Sequence, residues 1–241
     1  MKIVINPKYK SLSAFIESVP DVFEKEGRLI YKARNQLKTY QTEGFNVVVK
    51  SFKKPHFINR IAYGFFRSSK AQRSYEYAFE LLKRGVPTPE PVAYMEEKRV
   101  GLLIRSYCIC IFEKDFSEIR EEMLGLRGDK SFLKALAAFI ADIQNKGVLF
   151  LDMSPGNILS KTGNGKISFT LVDINRIKFL TDISLRKRYK NFARIAEKRE
   201  IIDEIATEYA KIMSFDVEKS KKEIHKHIAG YSKNYHIVNS K

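Results

Sequence analysis

Tryptophan is absent from the 241-residue chain, and cysteine occurs only twice, as Cys108 and Cys110. In "RSYCICIF" the two thiols fall on one face of a strand, and no further cysteine exists to complete a sulfur-rich metal site. The four histidines, His56, His225, His227 and His236, show no spacing with carboxylates that suggests zinc. A Cys/His metal module is therefore not expected, and the cysteines read as reduced strand residues. Long apolar runs are missing too: none approaches the roughly 18 residues needed to span a bilayer. The opening "MKIVINPKYK" holds too short an apolar run for a signal peptide, so a cytosolic location is expected. No internal repeat or low-complexity linker interrupts the chain. Acidic charge is scarce, with 28 Asp and Glu against 44 Lys and Arg, a net charge of +16. Such an excess attracts polyanions, whether nucleic acid, anionic lipid headgroups or a phosphorylated substrate.

What is present is a globular chain with 44% hydrophobic residues, long enough for one large domain or two small lobes. Residues 11–27 predict a short helix interrupted near Pro20 and ended by Gly27. "RLIYKA" (28–33), "LKTYQT" (37–42) and "NVVVKSF" (46–52) predict three successive strands, rich in Val, Ile, Tyr, Phe and Thr. Residues 57–84 are helical in pattern and close on Gly85 and "GVPTPEP", which cannot continue a helix. "VAYMEE" and "VGLLIRSYCICIF" predict a hairpin, which makes an N-terminal lobe of about five antiparallel strands and one main helix. After Phe112 an acidic helix is expected, carrying Glu113, Asp115, Glu118, Glu121 and Glu122. "SFLKALAAFIADIQNKG" (131–147) is amphipathic, with Leu133, Leu136, Ala137, Ile140 and Ile143 on one face. A hairpin, "NILS" and "ISFTLVD" around "KTGNGK", precedes a helical pattern from about 184 to 231.

Between the 131–147 helix and that hairpin, "LFLDMSPGNIL" places an acid and an amide in one tight loop. Asp, Asn, Pro and Gly are ordinary turn residues. Asp152 followed five positions later by Asn157 is also the catalytic-loop spacing of kinase-like phosphotransferases. The order of the other residues favours the chemical reading. Phosphoryl transfer needs a cation for the α/β-phosphates, a helix carboxylate to orient it, two oxygen ligands for magnesium and an acid to take the hydroxyl proton. Lys50 ends the third strand in "VVVK", and Glu76 follows on a helix in "SYEYAFELL". Asp152 and Asn157 form the loop, and Asp173 ends the next hairpin in "LVDINR". Asp152, Lys50 and Glu76 are thus the candidate catalytic residues, with Asn157 and Asp173 as magnesium ligands. The turn "KARNQLK" lacks G-x-G-x-x-G, so Arg34 and the backbone near Asn35 are candidates, with Lys50, for contacting ATP phosphates. Phe150 stands where kinase-like enzymes have His, and it can anchor the loop by packing. Only about ten residues separate Asp173 from the next helix, too few for a protein-kinase activation segment and its A-P-E anchor. Leu151 also removes the arginine that would bind an activation-loop phosphate.

"GVPTPEPVAY", "DMSPGNIL" and "LVDINRIKF" resemble the lipopolysaccharide core kinases, the Kdo/heptose kinases of the RIO-like group, from about residue 27 to 200. The resemblance implies a bilobal α+β, protein-kinase-like fold, with a sheet-and-helix N-terminal lobe (1–112) that binds nucleotide. A mainly helical catalytic lobe (113–241) would follow. It implies ATP and Mg²⁺ as cofactors and a lipid-linked core sugar as acceptor. The enzyme would then lie peripherally on the inner face of the inner membrane, at an anionic surface. Two other readings stand beside it: a RIO-like kinase of proteins or small alcohols, and a catalytically weak kinase-like protein that binds nucleic acid. The second lacks RNP-type aromatic strands, zinc-finger spacing and a helix-turn-helix, so no nucleic-acid partner is expected. The segment 55–73, aromatic at helical spacing and flanked by Arg60, Arg67, Lys70 and Arg73, has the composition of an interfacial helix or of one packed on the sheet.

Overall fold

The computed structural model describes residues 1–33, 35–53, 68–125, 130–196 and 198–239, without the side chains of 124, 125 and 233–239. The chain forms two compact units, Met1–Lys83 with Thr88–Lys114, and Arg84–Pro87 with Asp115–Lys241. The predicted helical stretch 57–67, with the aromatic residues of the interfacial reading, lies outside the described residues.

The first unit is built on an antiparallel sheet of β1 (Lys2–Ile5), β2 (Arg28–Lys32), β3 (Gln36–Thr42), β4 (Phe45–Ser51), β5 (Pro91–Arg99) and β6 (Leu102–Ile111). The strand order is β1-β5-β6-β4-β3-β2. Six strands form where five were expected, because "KIVI" is only four residues long and pairs with β5, Val4 opposite Tyr94. Strand alternation divides the side chains between two cores. Val47, Val49, Met95, Tyr107 and Ile109 face Leu12, Ile16, Val19 and Phe23. On the opposite face Phe52, Tyr94 and Cys108 meet Ala71 and Tyr75 of α2 (Lys70–Lys83).

Pro20 does not interrupt α1 (Ser13–Val22); it sits inside the helix, which ends at Val22 rather than at Gly27. An interior proline costs about 3 kcal/mol through its missing N–H and its clash. Leu12, Ile16, Val19 and Phe23 are all fully buried against the sheet, and each contributes about 1.5–3 kcal/mol, which outweighs that cost. The acidic helix expected after Phe112 is shorter than predicted. Asp115 adopts φ 66 and pairs with Lys161 at 3.2 Å. Glu118 belongs to β7 (Ser117–Glu118), opposite Leu159, so only Ile119–Gly125 (α3) is helical.

In the second unit, α4 (Lys130–Asn145) buries Leu133, Leu136, Ala137, Ile140 and Ile143, the predicted apolar face. Strand β8 (Val148–Phe150) pairs with β11 (Ile177–Phe179), and β9 (Ile158–Gly163) lies between β10 (Lys166–Leu171) and β7. The helical pattern after 184 resolves into α5 (Leu185–Lys190), a 3-10 turn (Asn191–Arg194), α6 (Arg199–Met213) and α7 (Val217–Asn239). Ser214 breaks the last two at φ 54, where the Phe215 N–H donates to the Ala210 carbonyl. Among the described residues no helix is long and apolar enough to cross a membrane.

Gly147 joins α4 to β8 at φ 73, and a Cβ there would lie 2.0 Å from the Leu180 carbonyl oxygen. Gly147→Ala must therefore adopt a left-handed backbone and displace the partner strand's main chain. A destabilisation of about 2–5 kcal/mol is expected. Chemical denaturation measures it, and an unchanged midpoint would contradict the backbone geometry.

Candidate active site

The two units carry separate halves of the predicted constellation. In the first, Lys50 stands opposite Leu37 and Cys108 in the sheet, so its side chain projects on the face covered by α2. Its ammonium lies 5.2 Å from the centre of the Phe52 ring. Glu76 is exposed on α2, and Gln72, one turn earlier, donates to its Oε1 at 2.8 Å. The described contacts of this carboxylate are thus with Gln72 rather than with Lys50. Asn35 accepts from the Lys53 backbone N–H at 3.3 Å, and Arg34 lies outside the described residues. A cleft of about 250 Å³ is lined by Ala33, Asn35, Gln36, Ser51 and Lys53. Gln36 and Ser51 are a cross-strand pair next to Leu37 and Lys50, so they project on the opposite face of the sheet. The cleft does not adjoin the Lys50 ammonium.

Cys110 shares the Lys50 side of the sheet. Burial pushes its thiol up to about 12, although the nearby Lys50 charge acts in the opposite direction. An ordinary thiol, with pKa about 8.5, is roughly one-quarter thiolate at pH 8. A Cys108→Ser variant should therefore react with iodoacetamide at the half-buried Cys110 more slowly folded than unfolded in urea. Equal rates would show that the sheet does not shield the thiol.

The second unit brings Asp152 and Asn157 into one hydrogen-bonded turn and ties Val172, the neighbour of Asp173, to it. The sequence Ser154-Pro155-Gly156 bends the chain into a 3-10 turn, closed by the Asn157 N–H on the Ser154 carbonyl at 2.9 Å. The Asn157 side chain then reaches back, its Nδ2 donating to the Asp152 carbonyl at 2.8 Å. With the amide nitrogen committed, the side-chain oxygen is what Asn157 offers a cation. Its own carbonyl accepts from the Val172 N–H at 3.0 Å, which fixes the approach to Asp173. Asp173 sits at φ 52, a left-handed conformation that Asp tolerates better than most residues, and its Oδ1 accepts from Asn175 Nδ2 at 2.5 Å.

Phe150 is fully buried, in keeping with anchorage by packing. The hydrogen bonding falls to other groups. Leu151 N–H donates to the Arg176 carbonyl at 2.9 Å, and Asn191 Nδ2 donates to the Phe150 carbonyl at 2.5 Å. Asn191 is held in turn by Gln144 Nε2 at 3.2 Å, and Gln144 Oε1 accepts from the Tyr209 hydroxyl at 2.6 Å. Burial pushes that hydroxyl up to about 12, so it remains a donor throughout the neutral range. Side chains from α4, the 3-10 turn and α6 thereby set the height of the loop.

Two arginines also converge on the Asp152 carboxylate. Arg176 Nη1 lies 3.4 Å from Oδ2, and Arg194 makes an ion pair with Oδ1. The Arg194 contact is one of charge, since Oδ1 makes no hydrogen bond that satisfies directional geometry. Sequence reasoning missed both arginines, as it missed Gln144, Asn191 and Tyr209. Only Arg176 carried a signal, by falling within "LVDINR".

No curated protein sequence matches the chain. Among solved structures, "WaaP in complex with acyl carrier protein" is similar at a TM-score of 0.65 and 14% identity, over 97% of this chain and 98% of that one. A kinase domain of Mycobacterium tuberculosis PknI aligns more loosely, at a TM-score of 0.44 and 13% identity over 80% of this chain and 74% of that one. The first likeness shows the fold: an antiparallel N-terminal sheet followed by a helical C-terminal part. The model of the lipopolysaccharide kinase (Kdo/WaaP) family matches residues 54–231, more than two thirds of the chain. The turn that joins Asp152 to Asn157, and Asp173 beyond it, lie within that match, and the chain is a kinase belonging to the lipopolysaccharide kinase (Kdo/WaaP) family.

Proposed function

We propose that the chain transfers the γ-phosphate of ATP to a hydroxyl of an inner-core lipopolysaccharide sugar, Kdo or heptose. The observation that carries this reading is the Asn157 amide on the Asp152 carbonyl at 2.8 Å, in a turn also tied to the segment entering Asp173. Asp152 takes the proton of the acceptor hydroxyl as its oxygen bonds to the γ-phosphorus. The bond from that phosphorus to the bridging oxygen breaks, and ADP leaves. Asn157 and Asp173 would hold Mg²⁺, which supplies charge neutralisation at the phosphates. An amide oxygen and a carboxylate, completed by substrate phosphates, fit the hard, water-retaining ion that Mg²⁺ is. Lys50 positions the phosphates. Asp173→Ala is expected to weaken magnesium-dependent nucleotide binding, which a fluorescent ATP analogue measures with and without the ion.

At +16 the chain is suited to an anionic membrane surface, where each nearby Lys or Arg contributes about 1 kcal/mol. It should sediment with anionic but not neutral vesicles, and release should follow as salt shortens the screening length from about 10 Å toward 3 Å. The WaaP neighbour is in complex with acyl carrier protein, so acyl carrier protein is a second partner to test by pull-down. Mass spectrometry of lipid A–core from cells with and without the gene tests the acceptor. One phosphate fewer on an inner-core sugar supports the reading; identical glycolipid with altered protein phosphorylation would redirect it to a protein acceptor.

A further inference from the structure

Two basic runs, "RKRYK" (186–190) and "KSKKEIHK" (219–226), take no part in the chemistry just described, and the fold sets them side by side. Tyr189 is buried between them, its hydroxyl 2.9 Å from Ser220 Oγ and its ring edge-on to Phe215. With Tyr189 turned inward, Arg186 and Lys190, one helical turn apart, stay exposed on α5. On α7 the fully buried Ser220 and Ile224 mark the packed face. Lys219, Lys222 and Lys226, at spacings of three and four residues, form an exposed stripe away from it. His227 lies at the seam between the helices. Burial holds its imidazole below the ordinary range, Glu223 opposes that, and the charges of Arg186, Lys190 and Lys226 deepen it. Cations of both helices thus surround one ring and share one surface.

Carboxylates on this surface are few. Glu218 pairs with Lys221 at 3.1 Å, and Glu223 approaches Lys226 at 3.9 Å. Asp216 is turned to the start of α7, where its Oδ1 accepts from the Lys219 N–H at 2.7 Å. Asp203 meets His225 at 2.7 Å on the flank that faces α6. The side chains of Arg186, Lys187, Lys190, Lys219 and Lys222 make no ion pair with any described residue. The surface also leads to the catalytic loop. Lys190 is followed directly by Asn191, which holds the Phe150 carbonyl, and Tyr231 of α7 lies against Arg194, the ion-pair partner of Asp152.

We infer that the exposed faces of α5 and α7 form the surface by which the chain docks on an anionic membrane, with the Asp152 loop beside it. A bilayer with acidic headgroups offers a broad plane of negative charge, which matches cations spread over two neighbouring helices. Leu185, 39% exposed at the start of α5, adds an apolar side chain of the kind that enters the headgroup region. The basic stripe carries no exposed aromatic platform on which single-stranded nucleic acid could stack. Docking there brings a lipid-linked acceptor to the loop along the membrane plane. The net charge of +16 alone would draw the chain to the membrane without selecting this face. The inference rests on the lipid-linked acceptor of the proposed function and adds the face that meets the lipid.

Vesicle sedimentation of the full chain tests this face against net charge. One variant carries R186Q, K190Q, K222Q and K226Q. A control of equal charge carries K10Q, K25Q, K83Q and K166Q, all exposed and outside the face. Each charge lost from a lipid-facing surface lowers affinity about fivefold. The first variant should therefore bind phosphatidylglycerol vesicles about a hundredfold or more weakly than the wild type, and the control should lose far less. Acetylation of the wild-type chain, read by mass spectrometry, should show Lys190, Lys222 and Lys226 protected on phosphatidylglycerol but not on phosphatidylcholine vesicles. Lys10 and Lys166 should be modified alike on both. This footprint decides the matter even where the four substitutions disturb folding. Equal losses in the two variants, protection confined to other lysines, or binding to duplex RNA but not to vesicles would overturn the inference. Failure of the kinase reading has a different signature: the chain docks through this face yet transfers no phosphate to glycolipid, in vesicles or in detergent.

Discussion

Asp152→Ala is expected to lower phosphate transfer by about 10²–10⁴-fold, the usual cost of losing a positioned base. Nucleotide affinity should remain nearly intact, because Asp152 contacts Arg176 and Arg194 and is bridged to Asn157 only through its main-chain carbonyl. Asn157 can make that bond to alanine as well as to aspartate, so the turn should survive the substitution. Single-turnover transfer and equilibrium ATP binding, measured on the same preparation, separate the two effects. A variant that binds ATP and transfers phosphate at the wild-type rate would remove Asp152 from the chemistry. Loss of both properties together would instead show that its contacts with the arginines hold the loop.

Phe150→Asp is expected to have the largest effect on stability. The Phe150 side chain is fully buried, and the groups that hold its segment, Asn191 and the Arg176 carbonyl, act on backbone atoms. An unpaired carboxylate there costs several kcal/mol in desolvation, beyond the packing lost with the ring. A loss of about 5 kcal/mol would lower the melting temperature by roughly 10–20 °C in a protein of this size. Phe150→His should fold, since an imidazole fills part of the same space and stays neutral when buried. Thermal unfolding followed by circular dichroism checks both, and an Asp variant that melts with the wild type would show that the ring is not packed there.

Much of the fold could be read from the sequence because strand alternation and helical periodicity record burial directly. β3, β4 and α4 lie within a residue or two of their predicted bounds for that reason. The misreadings are equally physical. β1 is short and gains its stability from pairing with Pro91–Arg99, far away in sequence, so four residues of pattern could not reveal it. Pro20 reads locally as a helix breaker, and only the buried face of α1 explains its tolerance. The acidic run at 113–122 has helical composition, but Asp115 turns left-handed and Glu118 is drawn into a strand by Leu159. At the site, the turn chemistry of 152–157 was local and therefore visible. Arg194, Asn191, Gln144 and Tyr209 reach the loop from other elements, at separations no short motif encodes. Glu76 shows the reverse: a helix position suited by order alone, whose carboxylate is bonded to Gln72.

The central claim is that the Asp152 turn transfers phosphate to a core sugar, and one assay addresses it most directly. The chain is incubated with γ-labelled ATP, Mg²⁺ and dephosphorylated lipid A–core in anionic vesicles, beside the Asp152→Ala variant and a generic protein acceptor. The account predicts label in the glycolipid with the wild-type chain, loss of that label in the variant and little label in the protein. Label confined to protein, or glycolipid labelled equally by both chains, would contradict it.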